Sequence, residues 1–368
     1  MAQSPLDIAL DYIGRGWNPV PNSFRTKKPV GEGWQKRLID AAAAPHFFNG
    51  GPQNIGVQLG PHSSGLTDID LDCDEAICIA PYLLPKTGAK FGRASTRASH
   101  WLYYSDLSVA DDRATIELRA PDGVMLLEAR IGGGSKGAQT VFPGSVHEET
   151  GEAIVWDEDG EPATVDDNAL LMAAKNVAAA CLIARAWPVQ GKRHDAARIV
   201  GGFLARTGWD EQHIKVFVEA IARTAGDEEW KDRVIAAKDQ AIAHRQGKNS
   251  YGMPSLIKLL GEDAAQQITA WLDYTFDTEP PNPGTNAALQ SVRASAVTMT
   301  AVDWVWPERF GFRKLGLVVG LPDEGKGQLL SYIAARITSA DDRAWPCNEG
   351  FAPLGNVVLL TAEDDLDD

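Results

Sequence analysis

Residues 65–72 read Gly-Leu-Thr-Asp-Ile-Asp-Leu-Asp, which puts Asp68, Asp70 and Asp72 in strict alternation. A strand repeats every two residues, so the three carboxylates share one face, while Leu66, Ile69 and Leu71 pack the core. Like charges roughly 7 Å apart repel, and such a face calls for cations. Hard oxygen ligands select Mg²⁺ or Mn²⁺. A solvated acidic strand is the plainer reading of the same residues. Glu128 lies in Leu126-Leu-Glu-Ala-Arg-Ile131, where a carboxylate is costly to bury unless paired or metal-bound, or else it faces water. His100 closes Arg93-Ala-Ser-Thr-Arg-Ala-Ser-His100, a basic, hydroxyl-rich loop entering a strand, and such a loop suits a triphosphate.

These residues need elements to hold them. Residues 5–14 place Leu6, Ala9, Leu10 and Ile13 on one helical face, and Gly14 and Gly16 stop that helix. From there to about residue 160 the pattern predicts strands at 54–59, 65–71, 100–104, 115–118, 125–129, 140–142 and 153–156. One helix and many strands make an α+β domain over 1–160. An acidic turn at 157–167 leads to a helical domain at 166–276, with helices at 169–187, 193–207, 210–225, 227–245, 253–260 and 262–274. Asp210 and Asp227 are the candidate N-caps. In that block Lys192, Arg193 and Arg198 surround His194, which suits template phosphates or a solvated helix start equally. A proline-rich linker covers 277–298.

The last segment, 299–368, carries Gly320-Leu-Pro-Asp-Glu-Gly-Lys-Gly327 between an expected strand at 315–319 and an expected helix at 328–337. A second apolar strand at 357–360 would complete a βαβ unit. In such a loop Gly320, Gly325 and Gly327 let backbone N–H groups cradle phosphates, and Lys326 reaches the β/γ-phosphates. Gly327 stands where a Ser or Thr usually meets Mg²⁺.

Composition narrows the function classes. With 35 basic and 50 acidic residues the net charge is −15, so nucleic-acid contact must be local or bridged by cations. Four cysteines, Cys73, Cys78, Cys181 and Cys347, show no metal spacing and predict free thiols in a reducing cytoplasm. Neither a signal peptide nor an apolar run of about 20 residues is visible, which predicts no membrane partner.

The order of motifs adds a resemblance. Gly16-Trp17, Lys28-Pro29 with Trp34, Asn54-Ile-Gly-Val57, Asp70-x-Asp72, the Ser/Thr/His segment, Glu128-x-Arg130 and Phe142-Pro-Gly-Ser-Val-His147 follow one another. Over roughly 5–160 this resembles the N-terminal domain of bifunctional primase–polymerases, in the archaeo-eukaryotic primase superfamily. The resemblance implies an RRM-like palm and a nucleotidyltransferase that works as DNA primase or DNA-directed polymerase. Asp70, Asp72 and Glu128 would hold two Mg²⁺ or Mn²⁺ ions, and His100 would contact the nucleotide. Arg97, Ser99 and Arg130, with Arg93, would meet the triphosphate, and Lys136 and Gln139 the nucleotide or template. Two before the histidine, where the family usually has a small residue, often Ser, stands Ala98, with Ser99 adjacent. Asp68 falls where the family has an apolar residue, so it supports the ligands or substitutes for one. The implied substrates are NTPs or dNTPs, and the implied partners are a single-stranded DNA template or primer and replication proteins.

The 299–368 segment resembles the start of the RecA-like ATPase of hexameric replicative helicases, with Glu363 at the catalytic-glutamate position and ATP at the P-loop. Asp368 comes about 50 residues after Gly320, so this P-loop part is expected to be an incomplete fragment without competent hydrolysis. The competing reading is an ATP-dependent replication or helicase-loading protein whose N-terminal domain is an inactive DNA-binding platform. Intact Asp70, Asp72, His100 and Glu128 argue for the enzyme. A phosphodiesterase using the same metal site is a third reading.

Overall fold

The structure, a computed structural model, describes residues 3–107, 113–272, 303–312, 316–318, 325–339, 343–346 and 349–358. The chain divides into two compact units, Met1–Pro283 and Gly284–Asp368.

The first unit opens with α1 (Pro5–Gly14), whose start is fixed by a reciprocal cap between Ser4 and Asp7. Next come β1 (Asn18–Ser23), α2 (Ala44–Phe47), β2 (Gln53–Gln58), β3 (Leu66–Leu71) and α3 (Asp74–Leu83). The chain continues through β4 (Ala89–Arg93), β5 (Thr96–Tyr104), β6 (Thr115–Arg119), β7 (Met125–Arg130), β8 (Gln139–Val141), β9 (Val155–Asp159) and β10 (Ala163–Thr164). Helices complete the unit: α4 (Asp167–Arg185), α5 (Arg193–Arg206), α6 (Glu211–Thr224), α7 (Trp230–Arg245), α8 (Met253–Leu260) and α9 (Glu262–Trp271).

The main sheet runs β6-β7-β3-β5-β4-β9, antiparallel throughout, with β10 parallel to the end of β5. A smaller sheet, β1-β2-β8, lies on one side. The period of two sorts the main sheet's side chains. Ile69, Leu71, Trp101, Tyr103, Leu127 and Ala129 join one hydrophobic cluster with α3 and with helices α4 to α9. Leu66, Phe91 and Leu102 join a second with α1 and the small sheet. Asp68, Asp70, His100, Glu128 and Arg130 have that second parity. The helical segment therefore shares a core with the sheet. Helix α4 is long and apolar enough to cross a membrane, but most of it is packed inside this core.

Several expectations need correction. In α1 the buried residues are Ala9 and Tyr12, while Leu10 faces solvent. Tyr12 wins the inward place because its hydroxyl donates to the Pro143 carbonyl at 2.8 Å and its ring packs among Trp17, Phe142 and Trp156. Asp227 does not cap a helix, since α7 starts at Trp230. Its buried carboxylate instead accepts from Trp187 Nε1 and Arg233 Nε. Asp210 caps α6, accepting from the His213 backbone N–H. Strands β1 and β4 and helix α3 were not expected. β1 carries Pro19 and Pro21, which a sheet tolerates only because this strand is an edge.

In the second unit, the described residues contain β11 (Trp304–Trp306) paired with β12 (Phe310–Gly311), and α10 (Lys326–Thr338). Trp306 stacks on Trp345 at 4.4 Å. Of the expected βαβ unit the described residues contain the helix; residues 316–318 and 357–358 carry no strand, and the remaining positions of both expected strands, 315, 319 and 359–360, lie outside the described residues.

Candidate active site

Strand β3 lies between β5 and β7. The register sets Asp70 opposite His100 on one side and Glu128 on the other, and Asp68 opposite Leu102 and Arg130. Three adjacent strands thereby offer polar groups to one cleft of about 350 Å³. Asp72 stands one residue past β3, its backbone N–H donating to the Leu126 carbonyl at 3.0 Å.

One ligand atom each from Asp70, Asp72 and Glu128 lie within 4.8 Å of one another. Asp70 is buried, Glu128 half-buried and Asp72 exposed. Desolvation and the negative charges of Asp70 and Glu128 push the Asp72 carboxyl up to about 7. That repulsion, and a donor set made only of carboxylate oxygens, fit a hard divalent cation.

Arg130 is the cation already present. Its Nη2 lies 2.5 Å from Asp70 Oδ2 and 2.9 Å from Glu128 Oε2, and its Nε donates to Glu128 at 2.9 Å. Nη1 reaches Thr140 Oγ1 at 3.3 Å. These carboxylates hold the guanidinium's pKa above its usual value despite burial.

Asp68 has a different task. It is fully buried and is not one of the three clustered carboxylates. One of its oxygens accepts from Thr140 Oγ1 at 2.7 Å, and the carboxylate meets His100 Nδ1 at 3.1 and 3.3 Å. Burial alone would raise its pKa, but His100, Arg130 and Thr140 outweigh that and hold it below the usual range. His100 stacks on Phe91 with ring centroids 4.4 Å apart and planes 13° from parallel. Burial opposes its charge, yet Asp70 and Asp68 raise its pKa overall. With Nδ1 directed at Asp68, Nε2 is the nitrogen left for a partner in the cleft.

The cleft is also lined by Lys27, Arg93, Ser99, Gln139 and His147. Burial, Arg93 and Lys27 lower the His147 pKa. Arg97 is not brought to the cleft. It pairs with Asp157, and the Ala98 N–H donates to the same carboxylate at 2.7 Å. Ala98 sits at a φ of 49°, in the left-handed region, which turns this corner of β5. Lys136 is not among the lining residues. Lys27, Phe91 and Thr140 were missed by sequence reasoning; only Lys27, beside the Lys28-Pro29 motif, carried a signal.

In the helical segment Arg193 lies 3.5 Å from Asp227 and 3.6 Å from Glu228, and Arg198 lies over the Tyr251 ring, so both are engaged within the fold. Lys192 and His194 are exposed at the start of α5. In the second unit Gly325, at a φ of 78°, caps α10, and Lys326 and Gly327 form its first turn. Gly320, Glu363 and Cys347 lie outside the described residues.

The antiparallel sheet thus carries a carboxylate trio that could hold a metal ion, beside basic side chains. Residues 9–168 match the Prim-Pol family, described as the N-terminal domain of bifunctional DNA primase/polymerases. The match covers less than half of the chain, contains β1 to β10, and ends just inside α4. It supports a primase or polymerase function in general terms, with DNA and nucleotides as substrates and a divalent metal as cofactor. No curated protein matches the chain.

Proposed function

We propose that the first unit is a template-directed nucleotidyltransferase, a DNA primase or polymerase. The clustering of Glu128 with Asp70 and Asp72, two carboxylates that line a cleft together with His100, Arg130 and Lys27, carries this reading. Asp70, Asp72 and Glu128 would hold two Mg²⁺ or Mn²⁺ ions. Such ions supply activation of a primer 3′-hydroxyl and charge neutralisation on the leaving pyrophosphate. The chain's own groups do the rest. His100, fixed from behind by Asp68 and Phe91, presents Nε2 to a phosphate oxygen. Arg130, Arg93 and Lys27 add positive charge along the triphosphate. Ser99, buried beside His100, offers a hydroxyl. Arg130 holds Asp70 and Glu128 together, and a bound cation would compete with its guanidinium for their oxygens.

For the second unit the proposal is narrower. Left-handed Gly325 followed by Lys326 at a helix start supports phosphate binding, with ATP as the natural ligand.

The test is a gel assay on unprimed and primed single-stranded template, with dNTPs or NTPs and Mg²⁺ or Mn²⁺. Metal-dependent incorporation, abolished by Asp70→Ala and by Asp72→Ala, is the expected result. Equal incorporation by both variants and the unaltered protein overturns it.

A further inference from the structure

Residues 24–38 carry five Lys or Arg against a single carboxylate, Glu32, in a chain whose net charge is −15. Arg25, Lys27, Lys28 and Lys36 are all exposed, and among the described residues none of the four forms an ion pair. Elsewhere in this unit arginines are routinely matched, as Arg15 is to Asp11 and Asp159, Arg97 to Asp157, Arg185 to Glu75 and Arg233 to Asp227. An acidic protein that leaves four cations unmatched in one loop has built a local positive surface.

The loop is also held in shape. Buried amide side chains from the small sheet hold its carbonyls: Asn18 donates to Arg37, Asn54 to Thr26 and Gln58 to Gln35. Gln139 donates to the Lys27 carbonyl at 3.0 Å. Arg37 braces the loop from within, donating to the Val30 and Glu32 carbonyls at 3.0 and 2.9 Å. Phe24 is 48% exposed on the same loop, and Trp34 is half-buried. Fixed cations interleaved with accessible aromatic rings are what a single strand of nucleic acid uses, phosphates on the cations and bases on the rings. The surface is continuous with the carboxylate cleft, because Lys27 and Gln139 line both.

We infer that the 24–38 loop is a preformed docking surface for single-stranded nucleic acid, leading the strand from Phe24, Lys28 and Lys36 past Lys27 to the carboxylates. The inference deepens the function proposed above and rests on it for what the strand reaches. Its physical content is independent of the metal: the binding is electrostatic and survives chelation.

The test is fluorescence anisotropy of a labelled single-stranded oligonucleotide with the full chain in EDTA, over a salt series. Charge reversal at Arg25, Lys28 and Lys36 together should weaken binding by about 10–100-fold at low salt. It should also flatten the slope of log affinity against log salt by about 2, the value for three lost phosphate contacts on a single strand. Phe24→Ala should weaken binding by about tenfold with the slope unchanged. Unchanged melting temperature and unchanged Mn²⁺ affinity identify folded variants. Affinity and slope that stay put in a folded triple variant overturn the inference. So does a poly-glutamate chain that binds as tightly as the oligonucleotide, since the surface would then suit an acidic polypeptide. If the unaltered chain incorporates nucleotides while the folded triple variant binds undiminished, the docking surface fails and the enzyme stands. If binding falls as expected while the unaltered chain incorporates nothing, the enzyme reading fails and the docking surface stands.

Discussion

Replacing Asp72 with asparagine should make the metal-free protein more stable. The carboxyl is pushed up to about 7 from an ordinary value of 3.8 by its surroundings, with Asp70 and Glu128 as the charged contributors. About three pKa units at 1.36 kcal/mol each set a ceiling of about 4 kcal/mol on the cost of ionising it in the fold. The side chain is exposed, and solvent screening reduces that to about 1–2 kcal/mol. An acid whose folded-state pKa is raised binds its proton more tightly in the native than in the unfolded chain. Native stability therefore falls as pH rises from about 4 towards 7, and the full penalty is present above that. The gain from Asp72→Asn should be absent near pH 4 and largest at pH 8. In thermal unfolding with EDTA it reads as a rise of about 2–6 °C at pH 8. Added Mn²⁺ should raise the melting temperature of the unaltered protein by mass action and leave the variant almost unmoved. A variant no more stable than the unaltered protein at pH 8 in EDTA refutes the repulsion argument, and with it the fit of the trio to a cation.

Asp68→Asn should act in the opposite direction from a position four residues away. It removes a fully buried partner of His100, and the loss of about 3–5 kcal/mol in urea unfolding at pH 8 should leave Mn²⁺ affinity within a few-fold of normal. Greater stability, or a collapse of Mn²⁺ affinity, would show that Asp68 is a ligand after all. Arg130→Met removes the guanidinium that Asp70 and Glu128 hold, so Mn²⁺ titrated by electron paramagnetic resonance without nucleotide should bind several-fold more tightly. Nucleotide affinity in the same variant should drop about tenfold or more for the lost charge-assisted hydrogen bonds. Unchanged Mn²⁺ affinity would mean that the clamp does not compete with the ion.

The acidic face of β3 was legible because a period of two is the simplest pattern a chain can carry, and Asp68, Asp70 and Asp72 keep it without a break. What the alternation could not tell was that equivalent carboxylates would divide their labour. That division comes from Thr140, 72 residues from Asp68 in the chain, and from Arg130 on the neighbouring strand. The first depends on how the small sheet packs on the main one and the second on strand pairing, and local patterning encodes neither. Arg97 shows a second kind of miss. Its place in the basic loop suggested a phosphate contact, but the left-handed turn at Ala98 delivers it to Asp157. The prolines of β1 hid a strand because edge and centre cannot be told apart before the sheet is assembled. In the second unit the helix expected at 328–337, after the Gly-rich turn, is present as Lys326–Thr338.

The back of the main sheet has a consequence for where this protein can be divided. The family match ends at residue 168, just inside α4, yet Ile69, Leu71, Trp101, Tyr103 and Leu127 share their core with the helices beyond that point. A chain cut at that boundary would keep all of the proposed chemistry and uncover the apolar side of the strands that align it. The chemical module and the folding module are therefore of different lengths. A shortened version that keeps the strands and drops the helices needs another cover for the same face.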